Sequence, residues 1–129
     1  MPAAANLDTL IVDDQRTTRQ LVRTCLLELG FKRITECEDG VAARDLLQTK
    51  RVHLIFSDLN MPGLDGLGLL AAVRGNPAIA KTAFIMLTGS ADTALVQQAI
   101  KLGVNNYIVK PFTLETLKKK VEAVVGPLT

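Results

Sequence analysis

Five short apolar runs alternate with segments of helical periodicity, and this alternation limits what the chain can become more than any other feature. The runs are TLIVD at 9–13, RITEC at 33–37, HLIFSD at 53–58, AFIMLT at 83–88 and NYIVK at 106–110. The first, third and fourth are almost wholly apolar. Strands of that kind are covered on both faces, which is the habit of parallel sheets in α/β folds. RITEC alternates more and is expected nearer an edge of the sheet.

Each interval between runs is long enough for a helical crossover. Over 15–29, Leu21, Val22, Cys25, Leu26 and Leu29 form one stripe, Arg16, Arg19 and Arg23 line another face, and Gly30 supplies the stop. Ala42, Leu46 and Leu47 mark a helix over 40–48, Leu69, Leu70 and Val73 one over 65–74, and 92–102 carries a fourth, ended by Gly103. Thr113 stands as N-cap before Leu114, Leu117, Val121 and Val124. The pattern is βα repeated five times. It predicts a doubly wound parallel sheet with right-handed crossovers, and by analogy the flavodoxin-like strand order 2-1-3-4-5.

Composition restricts function by exclusion. The chain has 129 residues, 48% hydrophobic and 22% charged, which suits one globular domain over 1–129. A net charge of +2 with a single lysine run at 118–120 gives no nucleic-acid footprint. No apolar run is long enough for a membrane span and the start MPAAANLD lacks signal-peptide character, so a cytoplasmic protein is expected. Cys25 and Cys37 lack metal-ligand or redox spacing and read as packed thiols, and the lone His53 as structural.

In a doubly wound sheet, ligands bind beyond the carboxyl ends of the strands, where the order reverses. Asp13 and Asp14 end the first run, Asp58 the third, Thr88 the fourth and Lys110 the fifth. Taken singly, Asp14 reads as a helix cap, Thr88 as a turn hydroxyl and Lys110 as a loop lysine. Together they put three carboxylates and one ammonium in one crevice, a net negative charge that is costly unless compensated. Oxygen donors without His or Cys favour Mg2+, which in turn suggests phosphoryl chemistry.

With IVDD, SDLNMPGLDG, LTG and NYIVKPF in this order, the chain resembles the receiver domain of two-component response regulators over essentially its whole length. It is similar in particular to the stand-alone, CheY-like chemotaxis receivers, which carry an aromatic residue three positions before the lysine, as Tyr107 stands before Lys110. The resemblance implies Asp58 as phosphoacceptor, Mg2+ held directly by Asp14 and through water by Asp13, with Asp58 and the carbonyl of Asn60 completing the set, and Lys110 and Thr88 as partners of the phosphoryl group. It also implies a cis Lys110-Pro111 bond and a switch in which Thr88 moves and Tyr107 turns inward. Implied partners are a sensor histidine kinase as donor and, downstream, a flagellar motor switch protein, a phosphatase or a histidine phosphotransfer domain. A regulatory monomer with no output domain after the last helix is expected, not an enzyme with turnover.

Helix periodicity adds one item of its own. Leu95, Ala99 and Leu102 share an inward face of the fourth helix, leaving Val96 and Ile100 at its flank. With Tyr107 and Lys120 these form the candidate partner surface, although a broad core stripe would account for the two aliphatics equally. Two other functions are expected to fail. An FMN binder would need a phosphate-cradling Ser/Thr/Gly loop where DDQRTT stands, and an aspartyl-phosphate phosphatase would carry D-x-D on the first strand.

Overall fold

Strands β1 (Asp8–Val12), β2 (Arg33–Cys37), β3 (Leu54–Asp58), β4 (Ala83–Thr88) and β5 (Asn106–Val109) form one parallel sheet. Its order is β2-β1-β3-β4-β5, the flavodoxin-like arrangement expected from the sequence. The computed structural model describes residues 3–89 and 92–129. Helices α1 (Arg16–Glu28), α2 (Gly40–Leu46), α3 (Gly66–Gly75), α4 (Thr93–Lys101) and α5 (Leu114–Val125) follow the strands in turn.

Successive side chains of a strand point to opposite faces, so the sheet builds two cores. Leu10, Val12, Ile55, Phe84 and Met86 meet Ala43, Leu47, Leu69, Leu70, Val73 and Ala99 of the α2–α4 side. Ile11, Leu54, Phe56, Ile85, Leu87 and Ile108 meet Val22, Leu26, Leu117 and Val121 of α1 and α5. Every residue of β3 is buried, as its unbroken apolar run requires. Full burial of one apolar side chain such as Leu54, Ile55 or Phe56 contributes about 1.5–3 kcal/mol, so β3 is a firm base for a functional group at its end. RITEC lies at an edge, as its alternation indicates.

Local chemistry sets the helix ends. The side chains of Asp39, Asp65 and Thr113 accept hydrogen bonds from the N–H groups of Ala42, Gly68 and Thr116, capping α2, α3 and α5. Gly30 and Gly103 take φ of +95° and +91° just beyond α1 and α4, conformations that favour glycine. At the amino ends of the strands, Arg74 donates to the carbonyls of Gly103, Ala80 and Thr82 and to the side chain of Asn105. One side chain thus joins α3 to the segments entering β4 and β5. His53 has a comparable part, its Nδ1 accepting the Asp8 N–H at 3.0 Å.

Four expectations of helix facing are corrected. Leu21 is 45% exposed, whereas Arg19, expected on the outer face, is buried. The inward stripe of α1 runs through Arg19, Val22, Cys25 and Leu26, because Arg19 finds polar partners inside. In α2, Ala43 and not Ala42 faces the core, on the same inward face as buried Gly40 one turn earlier. Leu102 is 38% exposed, because α4 has already ended at Lys101 and Val104 packs inward in its place.

Candidate functional site: an acidic crevice at the carboxyl ends of the strands

Parallel register brings the strand ends together. Val12 pairs with Ser57 and Asp58 with Leu87, so the residues just beyond β1, the last of β3 and the last of β4 border one crevice. Carboxylate oxygens of Asp13, Asp14 and Asp58 lie within 4.8 Å of one another. Asp13 and Asp58 are buried and Asp14 faces solvent. Lys110 is held there by its backbone N–H, which donates to the Thr88 carbonyl at 2.7 Å. Its Nζ then stands 3.0 Å from Asp58 Oδ1 and 3.8 Å from Asp13 Oδ2.

Only the first of those contacts is a hydrogen bond. Asp13 Oδ1 accepts the Gln15 N–H at 2.8 Å, but Asp13 Oδ2 is the one buried side-chain oxygen without a hydrogen-bond partner among the described residues. Burial pushes the Asp13 carboxyl from its usual 3.8 up to about 6; the Gln15 bond opposes this, Asp58 adds to it, Lys110 opposes and Asp14 adds. An unpartnered buried carboxylate oxygen beside two more carboxylates is the arrangement a hard cation relieves. The oxygen-only donor set fits such an ion, and Asp13, Asp14 and Asp58 are the side chains able to hold it.

Thr88 is buried, and its hydroxyl rests 3.5 Å from the Ile108 carbonyl on β5. Asn60 lies exposed two residues past Asp58, and its side-chain amide reaches Asp92 Oδ2 at 3.4 Å. Asp92 also accepts the Gly89 N–H at 2.8 Å, linking the loops after β3 and β4. The Lys110-Pro111 bond is cis. Beside Thr88 a cleft of about 260 Å³ is lined by Val96, Ile100, Tyr107 and Val109 among others, so the two α4 aliphatics and the aromatic do share one surface. Tyr107 is half-buried, and Lys120 Nζ lies 5.0 Å from its ring centroid and 3.3 Å from Asn106 Oδ1.

Sequence reading missed three contributors. Gly66 lies under the end of β3, where a Cβ would collide with the Asp58 carbonyl, so α3 can approach the site only with glycine there. Asp92 was read only as the start of a helix. Arg19 was taken for a surface residue, and its partners come from Asp13 just beyond β1 and Glu36 of β2, which no helical periodicity could disclose.

A buried carboxylate ending β3, an acidic pair after β1, a hydroxyl ending β4 and a lysine after β5 define a class, and comparison with known proteins gives the same class. The response regulator receiver domain model matches residues 9–122, and the chain belongs to that family. A probable chemotaxis protein CheY of Rhizobium etli is 49% identical over 128 residues, covering 99% of each chain. The chemotaxis protein CheY of Pseudomonas aeruginosa is 38% identical, over 89% of this chain and 93% of its own. Among solved structures, chemotaxis protein CheY4 of Vibrio cholerae superposes with a TM-score of 0.83 at 32% identity, covering 96% of this chain and 99% of its own. The receiver domain of a Pseudomonas aeruginosa sensor histidine kinase, with a magnesium ion coordinated in its active site cleft, gives 0.84 at 26% identity, over 94% and 98%. Among the described residues no helix is long and apolar enough to cross a membrane.

Proposed function

We propose that this receiver accepts a phosphoryl group on Asp58 from a phosphohistidine of a sensor histidine kinase, and that the phosphorylated form signals by binding a protein partner in chemotaxis. The carrying observation is Asp58 itself, buried at the end of a strand whose every residue is buried, with Lys110 Nζ 3.0 Å from Oδ1. A carboxylate oxygen carries no proton that must be removed before it attacks, so no general base is needed. Its oxygen attacks phosphorus, the P–N bond to the donor imidazole breaks, and the departing ring nitrogen keeps the electron pair and takes a proton from solvent. An acyl phosphate remains on Asp58.

Positioning and charge neutralisation dominate such transfers. Asp13, Asp14 and Asp58 would hold Mg2+ with the carbonyl of Asn60, and the bound ion supplies positive charge against the phosphoryl oxygens. Lys110 neutralises a further oxygen from the β5 side. Modification takes Asp58 from −1 to about −2 and adds strong acceptors, toward which the Thr88 hydroxyl turns from Ile108. Release of that bond frees β5 beside Tyr107, and the cleft lined by Val96, Ile100 and Tyr107, with Lys120 alongside, changes its population of states. The chemotaxis names of the 49% and 38% identical relatives support a partner that acts in chemotaxis.

Acetyl phosphate with Mg2+ tests the acceptor: intact mass should show one added phosphoryl group in the wild type and none in Asp58→Asn. Normal labelling of that variant would overturn the assignment. Thr88→Ala should still be labelled but lose the amide shift changes at Tyr107, Val96 and Ile100 that beryllofluoride induces; a full response would sever Thr88 from the switch. Phosphotransfer profiling separates this reading from a relay that passes phosphate onward to a histidine phosphotransfer domain.

A further inference from the structure

Arg19 is an arginine only 9% exposed, in the first turns of a helix whose neighbouring positions face water. Burying a guanidinium is costly unless its donors are used, and two of the Arg19 donors are engaged. Nη1 donates to the Asp13 carbonyl at 2.7 Å and Nε to Glu36 Oε1 at 3.2 Å, while Arg23 Nη1 donates to Glu36 Oε2 at 3.3 Å. The Asp13 N–H is held separately by the Cys37 carbonyl at 3.2 Å.

The Asp13 carbonyl that Arg19 holds belongs to the peptide joining Asp13 to Asp14. Its direction fixes the plane from which the Asp14 side chain departs and the rotation of Asp13 about its own backbone. Asp13 Oδ1 is tied to the Gln15 N–H, so the peptide and one carboxylate oxygen are both clamped, leaving Oδ2 as the atom presented to the crevice. Glu36 reaches the guanidinium from β2, in register with Ile11 of β1. The clamp therefore stands on two strands and a helix.

We infer that Arg19, braced by Glu36, is a positioning residue for the cation site: its hydrogen bond to the Asp13 carbonyl aims the Asp13–Asp14 pair. The inference rests on the Mg2+ reading of the acidic crevice. Groups that orient metal ligands from behind are worth about 10–100-fold in metal affinity. Direct charge has the opposite sign, because removing a cation beside three carboxylates makes the crevice more negative and should tighten cation binding. The direction of change thus separates aiming from charge.

The test is calorimetric titration of the full chain with Mg2+, alongside thermal unfolding. Arg19→Met should raise the Mg2+ Kd by about tenfold or more. Arg19→Lys, able to reach the carbonyl with one donor, should recover part of it, and Glu36→Gln should weaken binding less than Arg19→Met because the guanidinium stays on Asp13. A folded Arg19→Met with unchanged or tighter Mg2+ binding would overturn the inference, whatever its melting temperature. Should Arg19→Met fail to fold, wild-type affinity in both Arg19→Lys and Glu36→Gln would overturn it equally. A wild-type chain that binds no Mg2+ would remove the underlying reading and the inference together.

Discussion

At the amino ends of the strands, Arg74 spends its guanidinium on three carbonyls and the Asn105 side chain; at the carboxyl ends, Asp13 keeps a buried oxygen with no hydrogen bond and two carboxylates for neighbours. Both groups are ionisable, Asp13 buried and Arg74 half-buried. Burial also lowers the Arg74 pKa, but an arginine remains charged and its donors are matched. The difference lies in completion. One end of the sheet is finished by the chain, whereas the other leaves a place for something the chain does not contain.

That contrast can be broken in three ways. Truncating Arg74 to Met should cost about 2–4 kcal/mol of unfolding free energy, since several carbonyls lose a charged donor at once. It should leave the Mg2+ Kd untouched. Urea titration with calorimetry checks both, and a large loss of metal affinity would show that the two ends are not independent.

The second test sharpens the contrast through pH. The folded chain holds the Asp13 proton at about 6 against 3.8 ordinarily, so between those values the native state binds more protons than the unfolded one. Without metal, stability should fall as pH rises from about 4 to 6 and then level off, a loss of roughly 3 kcal/mol for a shift of about two units. Asp13→Asn should abolish the slope and be the more stable protein at neutral pH in EDTA, while binding Mg2+ weakly. Denaturation curves across this range decide it, and stability that rises with pH in EDTA would contradict the assignment.

The smallest effect concerns Asp39, an acidic residue at the same carboxyl end of the sheet whose side chain accepts the Ala42 N–H at 2.7 Å. Being satisfied, it should behave like the Arg74 end. Asp39→Ala should cost about 1 kcal/mol with no change in Mg2+ affinity, measured by the same two titrations.

The strand ends were legible in sequence because parallel strands have one direction, so the last residue of each apolar run must meet the others. Asp13, Asp14, Asp58, Thr88 and Lys110 needed no side-chain knowledge beyond that. Helix facing was less legible. A stripe read from hydrophobicity assigns Leu21 inward and Arg19 outward, and only the approach of Glu36 from β2 reverses them. Leu102 failed for a related reason, since periodicity does not say where α4 stops. Packing demands such as that on Gly66 are silent in one dimension, because the atom it avoids belongs to the Asp58 carbonyl eight positions earlier.

The unpartnered Asp13 oxygen has a consequence for anyone engineering this protein. A library sorted only for heat resistance in a chelating buffer would enrich replacements of Asp13 by neutral residues, because they remove a carboxylate whose charge is penalised by burial first and by its acidic neighbours second, and nothing in the sort rewards cation binding. The winners would be the most durable molecules in the pool and the least able to receive a signal. Selection on durability alone would steadily discard the trait for which the crevice is kept.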